Sequence, residues 1–320
     1  MMHRRDGLLG LLALAAGGPC PARAAEALRL LVGYAAGGPA DLVARQIEAS
    51  LRATAGIPMR VENLPGAGGA LAVQRLLAGR DDGSTWLVGS PSDTMLAPLT
   101  NPQLGYRPDQ LRLVGVASVV PVALVSSAVH AQRGWAELVA AAGRAGLGFG
   151  SYGQGSHAHL AGEELALRSG VPMLHVPFSG MAPLLRELMA GRIDVALLPL
   201  AAGLQDLVTA GRLRLLAMAT EARDARFPDV PTVEESTGVR GLHHRLWIGA
   251  FLPASAREAA WQRAQQLLAQ VQRDADYQRE KRREGVEPGM PMDADAARRF
   301  QAGEQAAWAR LAARWPAATR

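Results

Sequence analysis

Two serines and two histidines crowd one stretch, GLGFGSYGQGSHAHLAGEE, at residues 146–164. A hydroxyl beside an imidazole can be activated as a nucleophile, so a hydrolase using Ser156 or Ser151 is one reading. No G-x-S-x-G elbow surrounds either serine. His157 and His159 stand two apart at a loop-to-helix junction, and no Cys or Glu completes a ligand set with metal-site spacing. Gly148, Gly150 and Gly153 spell G-x-G-x-x-G, the turn that receives a dinucleotide. The acid that would bind the ribose should close the next strand, which instead reads MLHVPF, with His175 and no carboxylate. A catalytic residue, a metal and a cofactor are all expected to be absent. Ser156 reads more simply as a helix cap, and His159 as a local packing or hydrogen-bonding group.

What remains is backbone chemistry. GYAAGGPADLVAR, residues 33–45, also follows an apolar run and opens a helix. Bare glycine turns at helix starts present free N–H groups, which attract small anions such as carboxylates without any charged side chain. Neither residues 34–41 nor residues 151–159 contain Arg or Lys. Two such turns, one in each predicted lobe, could grip an anion from both sides of a cleft. Binding rather than turnover is the expected activity.

The elements that must position these turns alternate. LRLLV is a predicted strand. Gly38 and Pro39 suit the start of a helix whose first turn holds Asp41, with Leu42, Val43, Ile47 and Leu51 at helical spacing. A strand from Met59, a second bare turn at Gly66, Gly68 and Gly69, a helix and the strand STWLVGS follow. This order implies a parallel sheet with helices on its faces. Residues 111–126, LRLVGVASVVPVALVS, read as two strands broken at Pro121, passing from one lobe to the other. A second alternation runs to LRLLAMAT, and LWIGAFLP returns as a strand before a helical end. The two halves resemble each other in architecture and not in sequence. His243 and His244 are expected in an exposed loop.

The length of 320 residues suits two domains. About half the residues are hydrophobic and a fifth charged, as in a globular protein. The formal charge of +5 is small and its arginines are scattered. The one basic run, REKRREG, reads as a solvated helix face, so no nucleic-acid partner is expected. The chain starts with Arg4 and Arg5, a short apolar stretch and Ala22-Arg23-Ala24, the layout of a signal peptide cleaved near Ala24. Its apolar part is too short to span a bilayer. Cys20 is the only cysteine, so the exported chain would have none.

Several segments carry a specific resemblance: GYAAGGPADLVAR, VENLPGAGGALA, GSYGQGSHAHLAGEELALRSGV, HVPFSG, LMAGRIDVALLPL, AGRLRLLAMAT and FPDVPTVEES. In this order they resemble the substrate-binding proteins of the tripartite tricarboxylate transporter family, the Bug receptors, over about residues 28–310. The resemblance implies the two-lobed periplasmic binding protein fold of the crossing-strand type (type II), each lobe a mainly parallel sheet flanked by helices. Lobe 1 would comprise residues 25–120 and 221–320, and lobe 2 residues 121–220. It implies a periplasmic monomer that captures a small carboxylic acid, dicarboxylic or aromatic, and delivers it to the membrane components of the transporter. A receptor that reports to a membrane sensor is the alternative. By position, the ligand-binding residues would be Tyr34, Ala35, Ala36, Gly37, Gly38 and Asp41 from the first loop. The second loop would supply Ser151, Tyr152, Gly153, Gly155, Ser156 and His159, with Phe178 and Leu198 beside them. Relatives usually have Phe-Pro where Tyr34-Ala35 stand, Tyr-Lys where Phe178-Ser179 stand and often Asp where Leu198 stands. These departures bear on which acid is bound.

Overall fold

The computed structural model describes residues 28–130 and 134–313. The expected leader, residues 1–24, and Cys20 lie outside them. The chain begins with strand β1 (Leu28–Val32), helix α1 (Pro39–Ala55), β2 (Met59–Asn63), α2 (Ala70–Leu77) and β3 (Thr85–Gly89). A π-turn (Ser92–Leu96) and the short α3 (Ala97–Thr100) lead to β4 (Leu111–Ser127). Then come α4 (Trp135–Ala142), β5 (Leu147–Ser151), α5 (His157–Ser169), β6 (Met173–Pro177), α6 (Met181–Met189), β7 (Val195–Pro199), α7 (Ala202–Thr209) and β8 (Leu213–Met218). The chain returns through α8 (Val233–Thr237), β9 (Arg245–Pro253), α9 (Glu258–Arg273), α10 (Ala275–Glu284), β10 (Glu287–Pro288) and α11 (Ala294–Ala312).

The strands join in the order β2-β1-β3-β9-β4-β7-β5-β6, with β8 and β10 also on β4. Pairs at both ends, β2-β1-β3 and β7-β5-β6, are parallel, and those around β4 are antiparallel. α1 and α5 therefore both start at the carboxyl ends of parallel strands, where open α/β sheets bind ligands.

β4 is one strand of 17 residues, not the two expected. Its first part pairs with β9 as far as Pro121, and its second part pairs with β7 from Val122. A proline ends a strand only where the ladder needs its missing N–H. Here Pro121 sits where the strand changes partners, and its carbonyl accepts from Leu200 at 2.7 Å. Two bulges interrupt the β4–β9 register, between Leu113 and Gly115 and between Val116 and Ser118. Bulges leave carbonyls without ladder partners. Side chains of α9 and α10 supply them: Trp261 Nε1 donates to Leu113 O, Gln272 Nε2 to Val116 O and Tyr277 Oη to Ala117 O.

α1 buries Val43, Ala44, Ile47 and Leu51 against the sheet and ends at Gly56, whose left-handed backbone closes the last turn onto Leu51 O. The arginines of the basic run are exposed on α10 as expected, but Lys281 among them is buried, with its amine 3.0 Å from Glu284 Oε2. Among the described residues no helix is long and apolar enough to cross a membrane.

Candidate ligand-binding cleft

The loop between β1 and α1 is held by its own carboxylate. Asp41, 1% exposed, accepts on Oδ2 from Gly37 N and from Arg45 Nε, both at 2.9 Å. Its Oδ1 accepts from Asn63 Nδ2 at 2.9 Å, and the same amide reaches Tyr34 O at 3.0 Å. Burial pushes the Asp41 carboxyl up, but the bonds from Arg45, Gly37 and Asn63 outweigh it and hold it below the usual range. Asp41 is thus spent on the loop itself. Ala35, Ala36 and Gly37 are exposed. Tyr34 turns inward and donates to Gly68 O at 3.1 Å.

The loop between β5 and α5 is held by neutral rings. Ser156 caps α5, its Oγ accepting from His159 N at 3.3 Å. Gly155 N donates to His159 Nδ1 at 3.0 Å. His159 stacks on His175 with ring centroids 3.8 Å apart, and His175 stacks in turn on Phe149 at 4.9 Å. Ser151 Oγ donates to Gly153 O at 3.0 Å and lies 2.7 Å from His175 Nε2. With the hydroxyl proton on Gly153 O, the His175 N–H is the donor to Ser151. Burial pushes both imidazoles down to about 4, so they are neutral at pH 7. Ser151 is fully buried and its hydroxyl is engaged. His175 stands between two rings and not on an orienting carboxylate, which is the wrong arrangement for a nucleophile and its base.

The two loops meet across a small cleft. Tyr34, Gly68, Ser92 and Ala97 line one side, and Tyr152, Gly153, Gln154, Gly155 and Ser156 the other. His157 N crosses it to donate to Ser92 Oγ at 3.1 Å. At Gly155, which has φ +72, a Cβ would lie 2.4 Å from Thr100 Oγ1, so only glycine lets the loop approach α3 this closely. Of the expected site residues the fold therefore brings Tyr34, Tyr152, Gly153, Gly155 and Ser156 to one cavity. Gly38 is the N-cap position of α1, and Ser151 and His159 hold the second loop from behind. Phe178 packs against the core below, and Leu198 is fully buried within it.

Sequence reasoning missed the opposite wall. Gly68, Ser92 and Ala97 come from two turns whose role depends on which loop faces them. Behind Ser92 lies Asp93, fully buried. Its Oδ1 accepts from Ser90 N at 2.7 Å and Ser90 Oγ at 2.8 Å, while Oδ2 has no partner. Burial pushes its carboxyl up to about 7 against those two bonds. Gly69, with φ +95, makes room for it, since a Cβ there would lie 2.5 Å from Asp93 Cβ. His244, expected in an exposed loop, is buried instead, 3.2 Å from Glu164 and edge-on to His157. Burial raises the Glu164 carboxyl, yet His244 and Arg168 bring it down to about 2. Among the described residues no three of His, Cys, Asp and Glu group as a metal site.

Two lobes sharing crossing strands, with the β1–α1 and β5–α5 loops meeting at one cleft, define a periplasmic binding protein fold. Residues 43–315 match the tripartite tricarboxylate transporter family receptor, and the chain belongs to that family. It is a solute-binding receptor by family and not an enzyme. It is 28% identical to a UPF0065 protein of Bordetella pertussis over 300 residues, 93% of this chain and 92% of the relative. It is 29% identical to the protein BugT of the same organism, over 73% of this chain and 74% of the relative. Among solved structures, Rpa4515 of R. palustris with adipate is similar at a TM-score of 0.84 and 27% identity, covering 91% of this chain and 97% of that one. MatC of Rhodopseudomonas palustris with bound malate is similar at 0.79 and 26%, covering 89% and 98%.

Proposed function

We propose that this chain captures a small carboxylic acid, dicarboxylic or aromatic, between the Tyr34 and Tyr152 loops. One observation carries the reading. The β1–α1 and β5–α5 loops meet at a single cleft whose lining holds tyrosine and serine hydroxyls and bare glycine backbone and no cationic side chain. A carboxylate held there is bound by the hydroxyls of Ser156 and Tyr152 and by loop amides released from their present acceptors. Hydrogen bonds to a charged group contribute roughly 1.5–3 kcal/mol each, so a few suffice for micromolar affinity. Similarity to proteins solved with adipate and with malate supports the class.

The ligand-binding set is then Tyr34, Tyr152, Gly153, Gly155 and Ser156, with Gly68, Ser92 and Gln154 added. Lobe 1 is residues 25–120 and 221–320, and lobe 2 residues 121–220, hinged where β4 changes partners. The mature chain is periplasmic after loss of residues 1–24 and works as a monomer. It passes its ligand to the membrane components of a tripartite tricarboxylate transporter.

A thermal-shift series with adipate, malate and succinate tests the reading. An acid at 100 times its dissociation constant adds about 2.7 kcal/mol of stability. No shift with any of the three overturns it.

A further inference from the structure

Asp93 is a carboxyl that neither the fold nor the loops explain. It is fully buried, and its Oδ2 has no hydrogen-bond partner. Glycines make the space for it: a Cβ on Gly69 would collide with its Cβ, and a Cβ on Gly89 would lie 2.6 Å from Oδ2. No cation faces it. Ser90 donates to Oδ1, and Tyr106 donates its hydroxyl to Asp93 O. Tyr34 from the first loop and Tyr152 from the second feel its charge, and both approach the neighbouring Ser92. From α5 comes only the backbone of His157, bound to Ser92 Oγ. On α11, Glu304 is turned to the indoles of Trp247 and Trp308. α2 contributes Ala70 and Val73 to the apolar cluster that includes Met95 beside it.

An ionised Asp93 would place a second negative charge, unpaired and desolvated, directly behind the wall that receives an anion. Two carboxylates sharing such a site do not both ionise. A proton on Oδ2 removes the repulsion and gives the unpartnered oxygen its own donor. We propose that Asp93 couples ligand capture to proton uptake: an anionic acid enters the cleft together with one proton from solvent, which resides on Asp93. The proposal rests on the reading of this cleft as a carboxylate site. Asp93 is a positioning residue in this scheme, acting on the ligand through Ser92, Tyr34 and Tyr152.

Burial already holds this carboxyl at about 7. The coupling therefore falls within a range where adipate and malate stay fully ionised. Calorimetry with adipate and malate from pH 6.5 to 8.5 tests it. The dissociation constant should rise about tenfold across the upper unit of that range, the limit for one linked proton. Binding heats at pH 8 in two buffers of different ionisation enthalpy should differ by the equivalent of close to one proton taken up. Asp93→Asn keeps Oδ1 for Ser90 and replaces Oδ2–H with a neutral donor. It should bind with a flat pH profile and no proton uptake. Binding with neither pH dependence nor proton uptake in the natural chain overturns the proposal while leaving the carboxylate reading intact. Affinity that instead strengthens as pH rises overturns it in favour of an ionised Asp93 paired with a cationic group. No heat with either acid at any pH removes the carboxylate reading and this proposal with it. The buffer comparison uses the natural chain, so the proposal stays testable even if Asp93→Asn fails to fold.

Discussion

Asp41 and His159 occupy the same place in two different helices. Each is the third residue of its helix, and each accepts the N–H of the glycine four residues earlier, Gly37 or Gly155. The surrounding sequences then align without a gap: GYAAGGPAD at residues 33–41 against SYGQGSHAH at residues 151–159. Tyrosine meets tyrosine, glycine meets glycine, alanine meets alanine, and both tyrosines turn toward Ser92. One device is thus used twice, locked once by an anion and once by a neutral ring. The anionic lock draws on an arginine and an amide. The neutral lock draws on stacking, because an imidazole with one acceptor nitrogen makes fewer hydrogen bonds than a carboxylate. The two halves do resemble each other in sequence, over these nine residues, contrary to the expectation from the whole chain.

Six changes would break or sharpen this comparison. The largest effect is expected from Gly155→Val, which forbids the left-handed backbone and drives a side chain into Thr100. Ligand affinity measured by calorimetry should fall about 100-fold or more. Gly37→Ala, its counterpart, meets nothing within 4 Å and carries only the cost of φ +85. It should lose about tenfold, and an equal loss at both positions would mean that the contact with Thr100 is irrelevant.

Asp41→Ala removes three hydrogen bonds to a buried carboxylate and should cost about 2–3 kcal/mol in denaturant unfolding. A change below half of that would show that Asn63 holds the first loop alone.

Acid should loosen the second loop before the first. His159 and His175 have folded values near 4, below the ordinary histidine range, so the unfolded chain binds their protons first. Their contribution is complete above about pH 6.5 and is lost as pH falls toward 4, by about 1–2 kcal/mol in all after solvent screening. The Asp41 lock, whose carboxyl is held low, persists until pH falls below the usual carboxylate range. Thermal melts of His175→Phe between pH 4 and 6.5 should show a flatter slope than the natural chain. An unchanged slope would remove the histidine pair from the comparison.

The smallest effects concern the caps. Ser156→Ala should cost about 1 kcal/mol. Gly38 has nearly the same backbone angles as Ser156 but no side chain to cap α1. Gly38→Ser should therefore gain a few tenths of a kcal/mol. A loss would show that the first loop has no space for a side chain there.

Much of this was legible in the residues. Strands ending in glycine, Ser156 before a helical run and Pro39 after Gly38 place both loops, because their chemistry is local. What was not legible is set by partners far along the chain. Ser92 and Asp93 carry no signal beyond an ordinary SPSDT turn until the fold sets them against Tyr34 and Tyr152. His175 looks like a strand residue until His159 stacks on it. Leu198 stands where relatives often carry an acid, yet its β7 position points it into the core. Pro121 misleads because a ladder can change partners without the strand ending.

That same strand governs how the molecule can be made. β4 needs Leu246 to Pro253 for one edge and Glu287 for the other, so its ladder is unfinished until more than 160 later residues exist. Contacts so distant in sequence slow folding, because a long loop must close before any pairing rewards it. A chain emerging at about 5–20 residues per second leaves its central strand open for many seconds. A protein bound for another compartment gains from this delay, since it can stay threadable until the last strand arrives.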